Sequence, residues 1–250
     1  MTIVNCKRVA GVVLSCLATI TCGGSSPTAP SASTGGASST SGTATGTTGG
    51  TQSTACRTGP ATYRIVTTGG GVTSTINGTC TYDNNAVAGT CTNQYSDTTG
   101  QAFTSVSTTR HATRGDVVDE VSVIPPLQRS LGTTTTLTGS GLNSTGTSTL
   151  TYDAQKRLVS AVATTLSAGQ SVTSTTTYTA WDSAGRPTVA SSSGGSTTYT
   201  YDNATRTQLT TTAGVSCSQV FDTNGNPTVG TCSNGATSTL TMLSTLQVCR

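Results

Sequence analysis

The sequence predicts an all-β fold, an antiparallel meander of hairpins forming a curved sheet or strip. Three observations lead there. Threonine supplies about a quarter of the 250 residues, and a β-branched side chain stiff at χ1 favours strands over helices. Turn signals such as Gly194-Gly195, Gly214 and Asn234-Gly235 divide the second half into strands of about six to eight residues. An aromatic residue followed by Asp recurs at Tyr152-Asp153, Trp181-Asp182, Tyr201-Asp202 and Phe221-Asp222. Helix-forming Glu occurs once, at Glu120, so about twelve to fifteen short strands and no substantial helix are expected.

The chain divides into three parts. In residues 1–21, Lys7 and Arg8 precede an apolar run from Val9 to Ile20 that is too short to span a bilayer, and small residues follow. This layout resembles the bacterial lipoprotein signal, whose four-residue box ends in cysteine; here the box is Thr19, Ile20, Thr21, Cys22. The family prefers Leu three residues before the cysteine and Gly or Ala just before it, which this box lacks. The resemblance implies cleavage before Cys22, lipid on its thiol and acylation of the new amine. It therefore implies a lipid-anchored protein of the cell envelope, expected at the outer membrane, with the domain in the periplasm or at the cell surface. A box ending at Cys16 fits the family pattern better but leaves an apolar run of only about six residues. An ordinary cleaved secretory signal is the other alternative. Residues 22–54 are nearly all Ser, Thr, Gly, Ala and Pro without charge, cannot bury a core, and read as a disordered tether. Residues 55–250 form the all-β domain.

Cysteine arithmetic agrees with this division. Of nine cysteines, Cys6 and Cys16 leave with the signal and Cys22 takes lipid, so six remain for an exported chain with few large apolar residues. Counting outward from Asn224-Gly225 as a two-residue turn sets Cys217 opposite Cys232, with the ~5.5 Å spacing of a hydrogen-bonded pair. A three-residue loop with a bulge shifts the register by one and makes that bridge diagonal. Cys80 with Cys91 follows by analogy of the two hairpins, and Cys56 with Cys249 by elimination.

In the repeats, Asp opens each turn by accepting backbone hydrogen bonds, and Gly185 or Gly225 supplies the positive φ that closes it. Asp153 to Arg157 and Asp202 to Arg206 lack the Gly, and those two turns are expected to be less regular. The segment 145–235 resembles the Rhs or YD-repeat family, whose unit reads Tyr-Asp, two variable residues, Gly-Arg and an apolar residue. The residues that carry the likeness are Tyr152, Asp153, Arg157 and Leu158; Trp181, Asp182, Gly185 and Arg186; Tyr199, Tyr201, Asp202 and Arg206; and Phe221, Asp222 and Gly225. The resemblance implies hairpins joined edge to edge into a β-strip. Large toxin members wind that strip into a shell. Four or five units are too few for one, and no Asp-Pro pair matches the motif that ends many such cores.

Charge and chemistry narrow the function. Without Lys7 and Arg8, ten basic side chains face nine acidic ones, a net of +1, so nucleic acid is not an expected partner. His111 is the single histidine, and no Gly-x-Ser-x-Gly elbow occurs in a strand-turn-helix setting. Asp116, Asp119 and Glu120 offer oxygen ligands, but not at the spacing of a calcium loop, so no metal or cofactor is expected. The expectation is a noncatalytic envelope or surface module, structural or adhesive, with a glycan or an envelope protein as partner. Two alternatives have structural tests. A glycan hydrolase requires His111 and the three acids to converge in one cleft. A carbohydrate-binding module requires the tyrosines and Trp181 to form an exposed row.

Overall fold

A computed structural model describes residues 55–139 and 141–250. The signal segment 1–21, Cys22 and the tether to residue 54 lie outside the described residues. Fourteen strands follow one another among those described. The first five are β1 (Cys56–Gly69), β2 (Val72–Asp83), β3 (Ala88–Asp97), β4 (Ala102–Arg110) and β5 (Gly132–Gly139), with the short helix α1 (Arg114–Asp119) between β4 and β5. Then come β6 (Leu142–Tyr152), β7 (Leu158–Ser167), β8 (Gln170–Trp181), β9 (Pro187–Ser192) and β10 (Gly195–Asp202). The last are β11 (Thr207–Thr212), β12 (Val215–Phe221), β13 (Pro227–Cys232) and β14 (Thr237–Cys249).

Each strand pairs antiparallel with the next, as expected of a meander, but the sheet is not an open strip. β1 pairs with β14 from Cys56↔Cys249 to Thr68↔Thr237, and the fourteen strands close into a barrel. Closure removes the two edges that an open strip leaves unpaired. The bulge in β1 between Pro60 and Tyr63 adds local twist at the closing seam. Because every hairpin returns the chain, all turns after even-numbered strands lie at one end, here called the base, together with Cys56 and Cys249. The tight turns at Gly70-Gly71, Ala168-Gly169 and Ala213-Gly214 lie at the other end, the tip.

The interior is filled unevenly. Tyr63, Ile65, Ile76, Cys80 and Tyr95 form a buried cluster on β1 to β3, joined by Phe103, Leu240 and Leu246. Tyr95 and Phe103 stack with centroids 4.3 Å apart. Gly78 admits the Tyr63 ring, since a Cβ there would lie 2.2 Å from Tyr63 Cζ. From β9 to β13, by contrast, Ala190 is the one buried apolar residue among those described.

Three disulfides join Cys56 to Cys249, Cys80 to Cys91 and Cys217 to Cys232. The Cys217↔Cys232 register arises differently from the two-residue count. The loop holds three residues, Thr223 to Gly225, and a bulge between Val220 and Phe221 restores the direct opposition that the loop would have shifted. The Cα separation of 4.0 Å is that of a non-hydrogen-bonded pair, shorter than the hydrogen-bonded spacing expected.

Candidate functional site: the base plug and the hairpin ladder

Charge in this molecule is one-ended. Of all Asp, Glu, Lys, Arg and His in the described residues, Arg64 and Asp97 alone lie away from the base. The rest sit in the base turns, at the start of β1, just beyond β14, or in the segment 111–131 between β4 and β5.

That segment plugs the base. Thr113 caps α1: its hydroxyl accepts from the Asp116 N–H at 3.1 Å, and Asp116 Oδ2 accepts from the Thr113 N–H at 3.1 Å, a reciprocal box that holds so short a helix. Val117 and Val118 are buried beneath it. The plug reaches across to the β12–β13 turn, where a Cβ on Gly225 would meet Pro126 Cγ at 3.2 Å. It also reaches the β6–β7 turn, where Arg129 donates to the Lys156 carbonyl, and the last residue, where Arg250 Nη1 meets Asp119 Oδ1 at 2.9 Å.

Beneath the plug lies a buried ionic cluster. Arg57 on β1 donates to Glu120 Oε2 at 3.1 Å and to the Val117 carbonyl at 2.9 Å, and His111 Nε2 lies 2.9 Å from the same carboxylate oxygen. Arg57, His111 and Glu120 are all buried. Burial lowers the Arg57 pKa from its ordinary value, and attraction to Glu120 opposes that shift. Since a carboxylate only accepts, His111 donates through Nε2–H, which leaves Nδ1 without a partner, as is the Tyr82 hydroxyl. Both residues line a cavity of ≈ 20 Å³, room for one water-sized group and far below the ~300 Å³ of a substrate pocket.

The structure therefore brings His111 and Glu120 together but scatters the other acids. Asp116 caps α1 and lies 3.7 Å from Lys156, and Asp119 is held at the surface by Arg250. Among the described residues no three His, Cys, Asp or Glu side chains gather as a metal site.

The repeat residues form a ladder along the base. At Asp153, Asp182 and Asp222 the turn is the same: the Asp N–H donates to the carbonyl four residues on, and Oδ1 accepts from the N–H groups two and four residues on. Oδ2 accepts from Arg157 Nε and Arg186 Nε at 2.7 Å, and from Asn226 Nδ2 at 2.9 Å. The expectation that Asp153 heads a less regular turn is corrected: Lys156 adopts φ 60° where Gly185 and Gly225 have 81° and 78°, so the loop survives without glycine. Asp202 does differ. Its loop has four residues with Arg206 at φ 53°, and it matches the Asp83 hairpin, whose Val87 has φ 49°.

Each unit also grips the next, a feature the sequence reading missed. The Arg157 guanidinium stacks on Trp181 at 4.5 Å, and Trp181 Nε1 donates to the Leu158 carbonyl at 2.9 Å. One unit on, Arg186 stacks on Tyr201 at 4.2 Å, and the Tyr201 hydroxyl donates to the Pro187 carbonyl at 2.7 Å. Arg206 Nε donates to the Phe221 carbonyl at 3.1 Å. Tyr152, at the head of the series, donates to the Ser130 carbonyl of the plug. The alternation of Arg157, Arg186 and Arg206 with the aromatics Trp181, Tyr201 and Phe221 was the available signal. Trp181 and Tyr201 thus each have one face and a polar tip engaged within the ladder.

Above the base the outer wall carries a single charged side chain, Arg64, among the described residues, and is rich in hydroxyls. A row of threonines in register runs from Thr81 on β2 through Thr108, Thr134 and Thr147 to Thr173 on β8. The chain matches no protein-family model and no curated protein.

Proposed function

We propose that this chain is a noncatalytic lipoprotein of the cell envelope, anchored through lipid on Cys22 at the outer membrane, whose YD-type domain has a structural or adhesive, binding role. A glycan or an envelope protein is the partner class that its hydroxyl-rich, nearly uncharged wall suits. One observation carries the reading. The first strand begins and the last strand ends at the charged, plugged base, so a tether joined at Cys56 leaves the tip as the end without an attachment to the anchor.

The buried cluster supports the noncatalytic part. Glu120 is committed to Arg57 and His111, and the space beside them is too small for a substrate. Membership of the Rhs or YD-repeat family belongs to the same proposal, supported by the common turn at Asp153, Asp182 and Asp222.

The test is fractionation of the full chain expressed in a bacterial host with two membranes. The expected result is recovery in the outer membrane with an acylated N-terminal peptide beginning at Cys22. Cys22→Ser should move the protein to the soluble fraction and Cys16→Ser should not. A soluble wild-type chain, or lipid on Cys16, overturns the anchoring scheme.

A further inference from the structure

β8 is longer than the strand beside it. It pairs with β7 from Gln170 to Thr177, but β9 takes up only Thr176 to Trp181. Among the described residues, Gln170 to Thr175 therefore has a strand on one side alone. All six residues are exposed.

The direction of the free backbone groups follows from the turn. Ala168 and Gly169 have φ of 50° and 76°, the two positive values of a two-residue primed hairpin, whose flanking pair, Ser167↔Gln170, is hydrogen-bonded. Alternation then makes Thr165↔Val172 a hydrogen-bonded pair and Thr164↔Thr173 a non-hydrogen-bonded one. The Thr164 and Thr173 hydroxyls, 3.0 Å apart, agree with the closer approach of side chains at such a pair. The N–H and C=O groups of Ser171, Thr173 and Thr175 thus point away from β7, along the unpaired edge.

Natural sheets blunt an edge of this kind with charge, proline or a bulge. From Leu158 to Trp181 there is no charged residue and no proline, and the β7–β8 register has no shift. At the middle of the edge stands Val172, 68% exposed.

We propose that this edge pairs with the same edge of a second copy of the chain, antiparallel about a two-fold axis at Val172. The proposal rests on the adhesive reading above and names its partner. The edge is self-complementary. Ser171 of each copy falls opposite Thr173 of the other, two hydrogen-bonded pairs giving about four backbone hydrogen bonds. Val172 then faces Val172 at a non-hydrogen-bonded position, where cross-strand side chains lie closest. No charge on either hairpin opposes the approach.

The hairpin is at the tip, and antiparallel pairing puts the two bases at opposite extremes of the dimer. That is the arrangement of copies anchored on two facing membranes. A six-residue edge buries far less than the ~1,200 Å² of a stable specific interface, so each contact is weak and many anchored copies must act together.

The test uses the full-length chain made soluble by Cys22→Ser, in sedimentation equilibrium over a wide concentration range. The expected result is a monomer–dimer equilibrium with Kd on the order of 10⁻⁵ to 10⁻³ M, abolished by Val172→Lys with the melting temperature unchanged. Val172→Cys should cross-link under mild oxidation while Thr175→Cys, which falls opposite Gly169, should not. A chain that stays monomeric, or equal cross-linking at both positions, overturns the pairing. Clumping of cells bearing the lipidated chain, lost with Val172→Lys, supports the adhesive reading; a soluble dimer without clumping leaves the pairing standing and overturns adhesion.

Discussion

The two sides of the barrel are held by different forces. On β1 to β4 and β14, rings and branched side chains fill the interior: Tyr63 over Gly78, Tyr95 on Phe103, Ile65 beside Ile76. On β8 to β13 there is little to bury, and the hairpins are joined by Arg-on-aromatic stacks, Asp-headed turns and a disulfide. A chain poor in large apolar residues can thus close a wide ring by concentrating its apolar residues on one side and linking the other through polar contacts. Fourteen strands make a wider ring than the roughly eight that side chains just fill, which makes such a division necessary.

The largest expected effect tests closure itself. The Cys56–Cys249 bond spans 193 residues, against 15 for Cys217–Cys232. In the chain-entropy model, replacing the first pair by serines costs about 5 kcal/mol and the second about 3 kcal/mol. Urea midpoints of the two double variants measure the difference. Equal losses would mean that the end-to-end bond does not dominate closure.

Next is the plug, which belongs to neither side but touches both. Glu120→Ala leaves the buried Arg57 guanidinium without its carboxylate and should cost about 3–5 kcal/mol. Glu120→Gln keeps an acceptor and should cost less. If Glu120→Ala is silent in thermal melts, the plug is not what fastens the base.

How much of this was legible depended on sequence distance. Meander order, turn positions and Asp roles are local, and they were readable from Tyr152-Asp153 and its successors. The partners of Cys217 were found by a count whose error at the turn was cancelled by a bulge that no residue type announced. Closure was not read, although Cys56 with Cys249 by elimination already tied first strand to last; pairing between segments so far apart leaves no periodic mark. At the base, Asp116, Asp119 and Glu120 looked equivalent in sequence. Their separation into helix cap, surface pair and buried partner depends on where Thr113, Arg250 and Arg57 arrive. Lys156 in a glycine's position was also unforeseeable, since the Asp153 and Arg157 contacts hold it there.

Within the ladder, smaller effects separate the rungs. Arg186 has a buried side chain bonded to Asp182 and Asn203, whereas Arg157 is 39% exposed. Arg186→Lys loses the planar fork and the stack and should cost about 1–3 kcal/mol. Arg157→Lys should cost under about 1 kcal/mol, because its contacts are partly screened by water. Melting temperatures of the two variants decide; equal losses would mean that the stacks act as one unit and not as separate rungs.

The last effect is absent near neutrality and appears at the two extremes of pH. On the ladder, donation from the Thr205 hydroxyl, then from the Thr205 and Ala204 N–H groups, lowers the Asp202 pKa from its ordinary value. A carboxyl lowered in the folded state contributes stability above its unfolded value and loses it as pH falls through the folded one. On the packed side, burial pushes the Tyr63 phenol up to about 12 from 10.0, opposed by its bond to Asn93. A phenol raised in this way contributes stability that is complete below pH 10.0 and is lost as pH climbs toward about 12. Against burial, hydrogen bonds from Thr99 and Tyr95 lower Asp97 at the end of β3 in the same way, and burial raises Tyr201 on β10. Acid should therefore loosen the Asp202 and Asp97 turns, and alkali the strands around Tyr63 and Tyr201, as hydrogen exchange of their amides at the two extremes would report. Exchange of every strand at one common rate at both extremes would show that the barrel unfolds as a single unit despite its divided interior.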